Sequence, residues 1–178
     1  MQADHIRRAI FLDRDGVINQ NRNDYVRSTE HLHIFPNALP ALAQLAQSNH
    51  AIVIITNQSA IGRGLVSTET ATQINHYLIK RIREAGGRID GLYLCPHTPH
   101  DACECRKPRP GMLLQAASEL KLELTRSWLI GDSLTDIQAA SAAGVRPILV
   151  ATGRGQEAYH QLELARLGQT PFLPDLPT

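Results

Sequence analysis

Short aliphatic runs bounded by turn residues alternate along this chain with segments whose apolar residues recur at helical spacing. No other feature limits its fold as much. The runs are "AIFL" (9–12), "AIVIITN" (51–57), "GLYL" (91–94), "SWLIGD" (127–132) and "RPILV" (146–150). Most are continuously apolar, as strands are when both faces of a parallel sheet are covered. Between them, residues 36–47 carry Leu39, Leu42 and Leu45 at helical spacing, with Pro40 tolerable in a first turn. Ser67 or Thr68 can cap a helix whose inner stripe is Ala71, Ile74, Leu78 and Ile82, ending near Gly86 and Gly87. Residues 112–120, 136–143 and 157–167 complete the helical set. The pattern predicts an α/β fold: a doubly wound, Rossmann-like parallel sheet with helices on both faces.

A length of 178 residues suits a single domain, taken as 1–178, since no repeat or long linker divides the chain. With 20% charged residues and a formal net charge of +1, the chain lacks the basic excess of a nucleic-acid binder. No apolar run approaches the ~20 residues that span a bilayer, and no signal-peptide core precedes the first strand. The expectation is a cytoplasmic monomer with no nucleic-acid or membrane partner.

Ligands of doubly wound sheets sit outside the carboxyl ends of the strands. Asp13, Thr56 and Asp132 each follow a strand, so the three converge on one edge. An Asp at a strand end is ordinarily a turn former. Here Asp13 and Asp15 form a pair, joined by Thr56 in "TNQS", Lys107 in "CRKPRPGM", and Asp132 and Asp136 in "GDSLTD".

All three cysteines lie between positions 95 and 105. An odd number in one short loop points to a metal rather than to disulfides. Cys95, His97, Cys103 and Cys105, spaced C-x-H-x5-C-x-C, supply three thiolates and one imidazole. That is a closed tetrahedral Zn²⁺ set, structural rather than catalytic, in a zinc-binding loop. The plainer alternative is a loop of reduced thiols. His100 is the rival fourth ligand, and the C-x-H hook that mirrors C-x-C favours His97.

Four motifs in order resemble the haloacid dehalogenase-like phosphatase superfamily over nearly the whole chain. They are D-x-D-x-[TV] at 13–17, Thr56 after a strand, Lys107, and G-D-x-x-x-D at 131–136. The resemblance implies a Mg²⁺ cofactor and an aspartyl-phosphate intermediate. By it, Asp13 is the nucleophile and Asp15 the acid and base. Mg²⁺ falls to Asp13, Asp132 and the backbone carbonyl of Asp15, while Thr56, Arg106 and Lys107 stabilise the phosphoryl group. The chemistry needs these types. A carboxylate attacking a phosphate meets repulsion of roughly 4 kcal/mol per charge pair at 4 Å and intermediate dielectric, which cations must offset. An acid at Asp15 needs a raised pKa; its ionised neighbour pushes that way and Mg²⁺ pulls against it. Asp136 either orients Lys107 or the metal surroundings, or is purely structural. A zinc ion would stiffen the loop that aims Arg106 and Lys107 at the phosphate.

The intervals from Asp15 to Thr56 and from Thr56 to Lys107 leave no room for a large cap domain. Specificity therefore falls to loops: the zinc loop and residues 19–30, where Asn21, Arg22, Asn23, Asp24 and Tyr25 offer groups for sugar hydroxyls or a second phosphate. "FLDRDGVIN", "TNQSAIGRG", "CPH" with "CECRKPRPGM", and "GDSLTDIQAA" resemble the superfamily's sugar-bisphosphate branch. Its members release the 7-phosphate of heptose 1,7-bisphosphates, a step toward the nucleotide-activated heptose of lipopolysaccharide core. That resemblance lays Thr56, Asn57, Gln58, Ser59 and Ser133 along a small sugar-phosphate substrate, in addition to Arg106 and Lys107. Ser133 stands where some members carry Lys, and the 19–26 loop is one residue longer than in some. The histidinol-phosphate phosphatases, which share the zinc hook and the motifs, are the nearest rival. A phospho-accepting signalling module is the non-enzyme alternative, although such modules place the acceptor Asp after the third strand.

Overall fold

The aliphatic runs lie side by side in one parallel sheet. The structure is a computed structural model that describes residues 7–164 and 170–176. Its strands are β1 (Ala9–Leu12), β2 (Ala51–Asn57), β3 (Gly91–Cys95), β4 (Trp128–Gly131), β5 (Arg146–Val150) and β6 (Phe172–Leu173), in the order β3-β2-β1-β4-β5-β6. Every pairing is parallel. The helices are α1 (Ala38–Leu45), α2 (Ser59–Gly62), α3 (Thr68–Glu84), α4 (Gly111–Leu120), α5 (Leu134–Ala143) and α6 (Gly155–Leu164).

Strand side chains alternate between two cores. Leu12, Ile52 and Ile54 meet Leu42 of α1 and Ile74, Leu78 and Ile82 of α3 on one face. Phe11, Val53, Ile55 and Leu129 meet Met112, Leu113 and Ala116 of α4 and Ala139 and Ala140 of α5 on the other. Burying each such aliphatic side chain contributes about 1.5–3 kcal/mol. Helix α6 covers the outer strands, where Ala158 and Leu162 pack on Leu149 and Ile137.

Local signals set the helix ends. The Ser67 hydroxyl accepts from Thr70 N–H at 3.1 Å to start α3, and Gly144, at φ 70°, ends α5. From β1 the chain winds outward through β2 to β3, then returns through α4 to β4 on the far side of β1. The reversal opens a crevice between the carboxyl ends of β1 and β4. Asp13 and Asp132 are the residues just beyond those ends.

Several boundaries differ from the expectation. A sixth strand, Phe172–Leu173, pairs with Leu149–Val150; two residues are too short to show a period. The one-turn helix α2 is equally invisible to periodicity. Helix α5 begins two residues earlier than expected, because Ser133 rather than a later residue is its N-cap. The first helix is shorter than 36–47. Of the last expected helix, 157–167, the part beyond Leu164 lies outside the described residues. Among the described residues no inserted cap is present between β1 and α1 or between β2 and β3. No helix among them is long and apolar enough to cross a membrane.

Candidate active site

Asp13 prolongs β1 by one bond, its N–H donating to Ile130 O of β4 at 3.0 Å. The chain then turns sharply, with Ile18 N–H donating to Arg14 O at 2.9 Å. Gly16 sits in this turn at φ 91°, and a Cβ there would collide with the Asp132 carboxylate and Asn21 Oδ1. Only glycine lets the turn approach Asp132 so closely.

Lys107 is buried at the centre of the crevice. Its Nζ lies 3.0 Å from Asp13 Oδ1 and 2.6 Å from Asp136 Oδ1, and donates to Ile55 O at 3.1 Å. Its backbone is clamped by Asn57, whose amide donates to Lys107 O and accepts from Lys107 N–H, both at 3.1 Å. Asp136 is held in turn by the hydroxyl and the N–H of Ser133 at the start of α5. So Asp136 both caps a helix and orients Lys107. Asp132 accepts from Asn21 Nδ2 and from Arg154 N–H, each at 2.9 Å.

The carboxylates of Asp13, Asp132 and Asp136 converge, with one oxygen of each within 4.8 Å of the others. Three carboxyl groups face one ammonium in a largely buried site; fully ionised, they would carry two negative charges more than the ammonium offsets. Burial, with help from the neighbouring acids and against Lys107, pushes the Asp13 carboxyl well above the ordinary range. Burial and Asp136 push Asp132 to about 6, against the Arg154 N–H, Asn21 and Lys107. Burial alone would lower the Lys107 pKa, but Asp13 and Asp136 reverse the sign and raise it. Such a site lacks a divalent cation's worth of charge. Asp136 is fully engaged by Lys107 and Ser133, whereas among the described residues Asp13 Oδ2 and Asp132 Oδ1 make no hydrogen bond. Asp13 and Asp132 therefore fit a Mg²⁺ site of the kind that uses one or two carboxylates plus a substrate phosphate.

Asp15 is turned toward a different set of partners. It accepts from Arg14 Nη2 at 2.8 Å, Asn19 Nδ2 at 2.7 Å and Gln58 Nε2 at 2.6 Å. Burial raises its pKa, but Arg14, Asn19 and Gln58 together outweigh burial and the net direction is down. The raised pKa expected of an acid at Asp15 is thus corrected: the Arg14 guanidinium and the hydrogen bonds from Asn19, Arg14 and Gln58 together set the net direction. Thr56 is buried behind Gln58, whose Nε2 also donates to Thr56 Oγ1 at 2.8 Å.

Above these groups opens a cavity of about 500 Å³. Asp13, Asp15, Arg106, Lys107, Asp132 and Ser133 line it, with Asn57, Gln58 and Ser59 on one side and Asn21, Arg22 and Tyr25 on another. Thr56, Asn23 and Asp24 lie outside this lining. Asp24 instead accepts a bidentate pair of bonds from Arg22, at 3.0 and 2.9 Å. Arg63, Pro99, Arg154, Glu157 and Gln161 line the cavity although sequence patterning does not single them out. Arg154 and Glu157 follow β5, so the carboxyl-end rule that picks out Asp13 and Asp132 would have reached them too.

In the loop after β3, the Sγ atoms of Cys95, Cys103 and Cys105 and Nδ1 of His97 cluster. The separations are 3.1 Å for Cys95–Cys105, 3.8 Å for Cys95–Cys103, 3.5 Å for Cys95–His97 and 3.2 Å for His97–Cys105. A tetrahedron of Zn–S bonds has edges of about 3.8 Å, and all four donors lie within 4.8 Å of one another, close enough to share one ion. His100 is exposed and outside the cluster. Burial pushes the Cys95 thiol up to about 12, so a bound cation is what would hold it as thiolate. Next to the cluster, Arg106 Nη1 donates to His97 O at 3.0 Å, which ties the arginine to the cysteine loop.

Comparison with known proteins agrees with this architecture. A HAD-hydrolase-like family model matches residues 104–177. The D-glycero-beta-D-manno-heptose-1,7-bisphosphate 7-phosphatase of Neisseria meningitidis serogroup A is 41% identical over 152 residues, 85% of this chain and 81% of the relative. The crystal structure of a D,D-heptose 1,7-bisphosphate phosphatase from B. bronchiseptica, complexed with magnesium and phosphate, superposes with a TM-score of 0.87 at 40% identity. That match covers 95% of this chain and 93% of the other. A D,D-heptose 1,7-bisphosphate phosphatase from Burkholderia thailandensis matches at a TM-score of 0.71 and 32% identity, over 96% and 94% of the two chains. With similarity of this degree along most of its length, the chain belongs to the heptose-1,7-bisphosphate 7-phosphatase family of HAD-like hydrolases.

Proposed function

We propose that this protein is a Mg²⁺-dependent phosphatase that removes the 7-phosphate of D-glycero-β-D-manno-heptose 1,7-bisphosphate through an aspartyl-phosphate. The observation that carries this is the buried excess of carboxylate around Lys107 at the crevice between β1 and β4, in a chain related to phosphatases of that name. The β anomer is the one in those relatives' names. The product, a heptose 1-phosphate, suits a following nucleotidyl transfer, in keeping with lipopolysaccharide biosynthesis.

Asp13 attacks phosphorus, a bond forms between its carboxylate oxygen and the phosphoryl group, and the bond to the C7 oxygen breaks. Lys107 and Arg106 offer donors to the phosphoryl oxygens, where charge spreads in the transition state. Asp15 gives its proton to the departing oxygen. It then takes one from the water that cleaves the aspartyl-phosphate, which frees Asp13 and inorganic phosphate. Arg14, Asn19 and Gln58, outweighing burial, lower the Asp15 pKa and so favour the carboxylate form required by the second step. An arriving phosphate adds negative charge beside it and raises its affinity for the proton used in the first. Mg²⁺ on Asp13 and Asp132 would supply positive charge against both the attacking carboxylate and the phosphate.

Zn²⁺ on Cys95, His97, Cys103 and Cys105 would brace the loop that carries Arg106 and Lys107. One sheet serves the whole site, which supports a one-domain protein. Three unpaired thiols and a small-molecule substrate support a cytoplasmic setting.

A substrate panel tests the proposal. Phosphate release should require Mg²⁺, be fastest from the β-heptose bisphosphate, slower from the α anomer, and slow from histidinol phosphate. A strong preference for histidinol phosphate would overturn the substrate. A stable phosphoprotein that releases no phosphate would replace the enzyme with a signalling module.

A further inference from the structure

Arg14 stands between the two catalytic carboxylates in sequence, yet it is 1% exposed and does not line the cavity. Its guanidinium is shared between two elements. Nη2 donates to Asp15 Oδ1 and Oδ2 at 3.0 and 2.8 Å, and Nε donates to Oδ1 at 3.3 Å. On the other side Nη1 donates to Asn75 Oδ1 at 2.9 Å. Asn75 is 5% exposed on the inner face of α3, beside Ile74 and Leu78, in a stripe that otherwise holds apolar side chains.

A guanidinium is a rigid planar fork, so fixing one prong fixes the direction of the others. Holding Nη1 on Asn75 therefore sets where Nη2 and Nε present themselves, and with them the plane of the Asp15 carboxylate. We infer that Asn75 is a positioning residue, acting through Arg14 to aim Asp15 at the leaving oxygen. The inference rests on the acid role of Asp15 proposed above. Helix α3 thereby takes part in proton transfer without touching the substrate.

A buried arginine needs partners for folding alone, so the test must separate aim from stability. Leaving-group dependence does so. Phenyl and p-nitrophenyl phosphate have similar shapes, but the nitrophenolate is less basic and needs less protonation on departure. The ratio kcat/KM covers steps up to and including that departure. Asn75→Leu keeps a branched side chain and removes the acceptor, whereas Asn75→Asp keeps the acceptor. Positioned proton transfer contributes about 10²–10⁴-fold, and misplacement by ~1 Å costs about 10²-fold.

For Asn75→Leu, kcat/KM on phenyl phosphate and on the heptose bisphosphate should therefore fall by roughly 10–100-fold, with p-nitrophenyl phosphate falling less than about threefold. Asn75→Asp should recover most of the loss. If Asn75→Leu does not fold, Arg14→Lys, which replaces the fork by a point charge, should show the same discrimination. Equal losses on the two aryl phosphates, or an Asn75→Asp protein as impaired as Asn75→Leu, would overturn the inference. Asp15→Asn run in parallel separates the two levels. If it shows no leaving-group discrimination, the acid role itself fails; if it discriminates and the Asn75 variants do not, the positioning role alone fails.

Discussion

Lys107 neutralises part of a carboxylate cluster that would otherwise repel itself, and its ammonium reaches Asp13 and Asp136 together. Lys107→Met leaves those acids facing each other in a buried site. We expect a loss of about 3–5 kcal/mol in denaturant stability, the cost of breaking a buried charge pair from one side. Turnover should fall by at least roughly 10²-fold, the scale for removing a preorganised donor to a developing charge. Wild-type turnover in this variant would remove Lys107 from the phosphoryl chemistry. At this scale the sequence was legible where residue type is tied to position: acids two apart after a strand, a lysine, and a later acid pair. It was illegible where a side chain's direction matters. Nothing in "DRDG" says that Arg14 points inward to Asn75, or that Asn21 donates to Asp132.

Among elements, the cysteine loop has the most to do per residue. Arg106 is bonded to the backbone of His97, and Lys107 follows directly, so movement of the cysteine cluster would propagate to both cations. Cys103→Ser exchanges a proposed thiolate ligand for a hydroxyl. The variant should lose zinc by metal analysis, melt earlier, and retain less than about a tenth of wild-type turnover, the scale seen when groups supporting a metal site are removed. Unchanged zinc content would show that Cys103 is not a ligand. The long elements were legible. The run 51–57 is β2 residue for residue, and the stripe from Ala71 to Ile82 is the buried face of α3. Strand β6 and helix α2 were not, since each is shorter than the period that would reveal it.

For the molecule as a whole, the site is a place where the folded state carries uncompensated negative charge, so a cation that binds there should stabilise the entire fold. Mg²⁺ at about 100 times its Kd adds roughly 2.7 kcal/mol. At about 2–4 °C per kcal/mol for a chain of this size, the melting temperature should rise by ~5–11 °C. The rise should vanish in Asp132→Asn; a rise that survives the substitution would place the ion elsewhere. The order of apolar runs and helical stripes by itself determined that a covered parallel sheet would form, because its strands have no other way to bury both faces. The spacing of Asp13, Asp132 and the cysteines likewise determined which residues could meet at its edge or in one loop. Only the tertiary structure decided how they meet: that Asp136 is taken up by Lys107 and Ser133, that Asp13 and Asp132 each keep one carboxylate oxygen without a hydrogen bond among the described residues, and that Asp15 is paired with a buried arginine. Those outcomes depend on rotamers and on separations of a few ångströms between segments far apart in the chain, which periodicity and motif spacing do not encode.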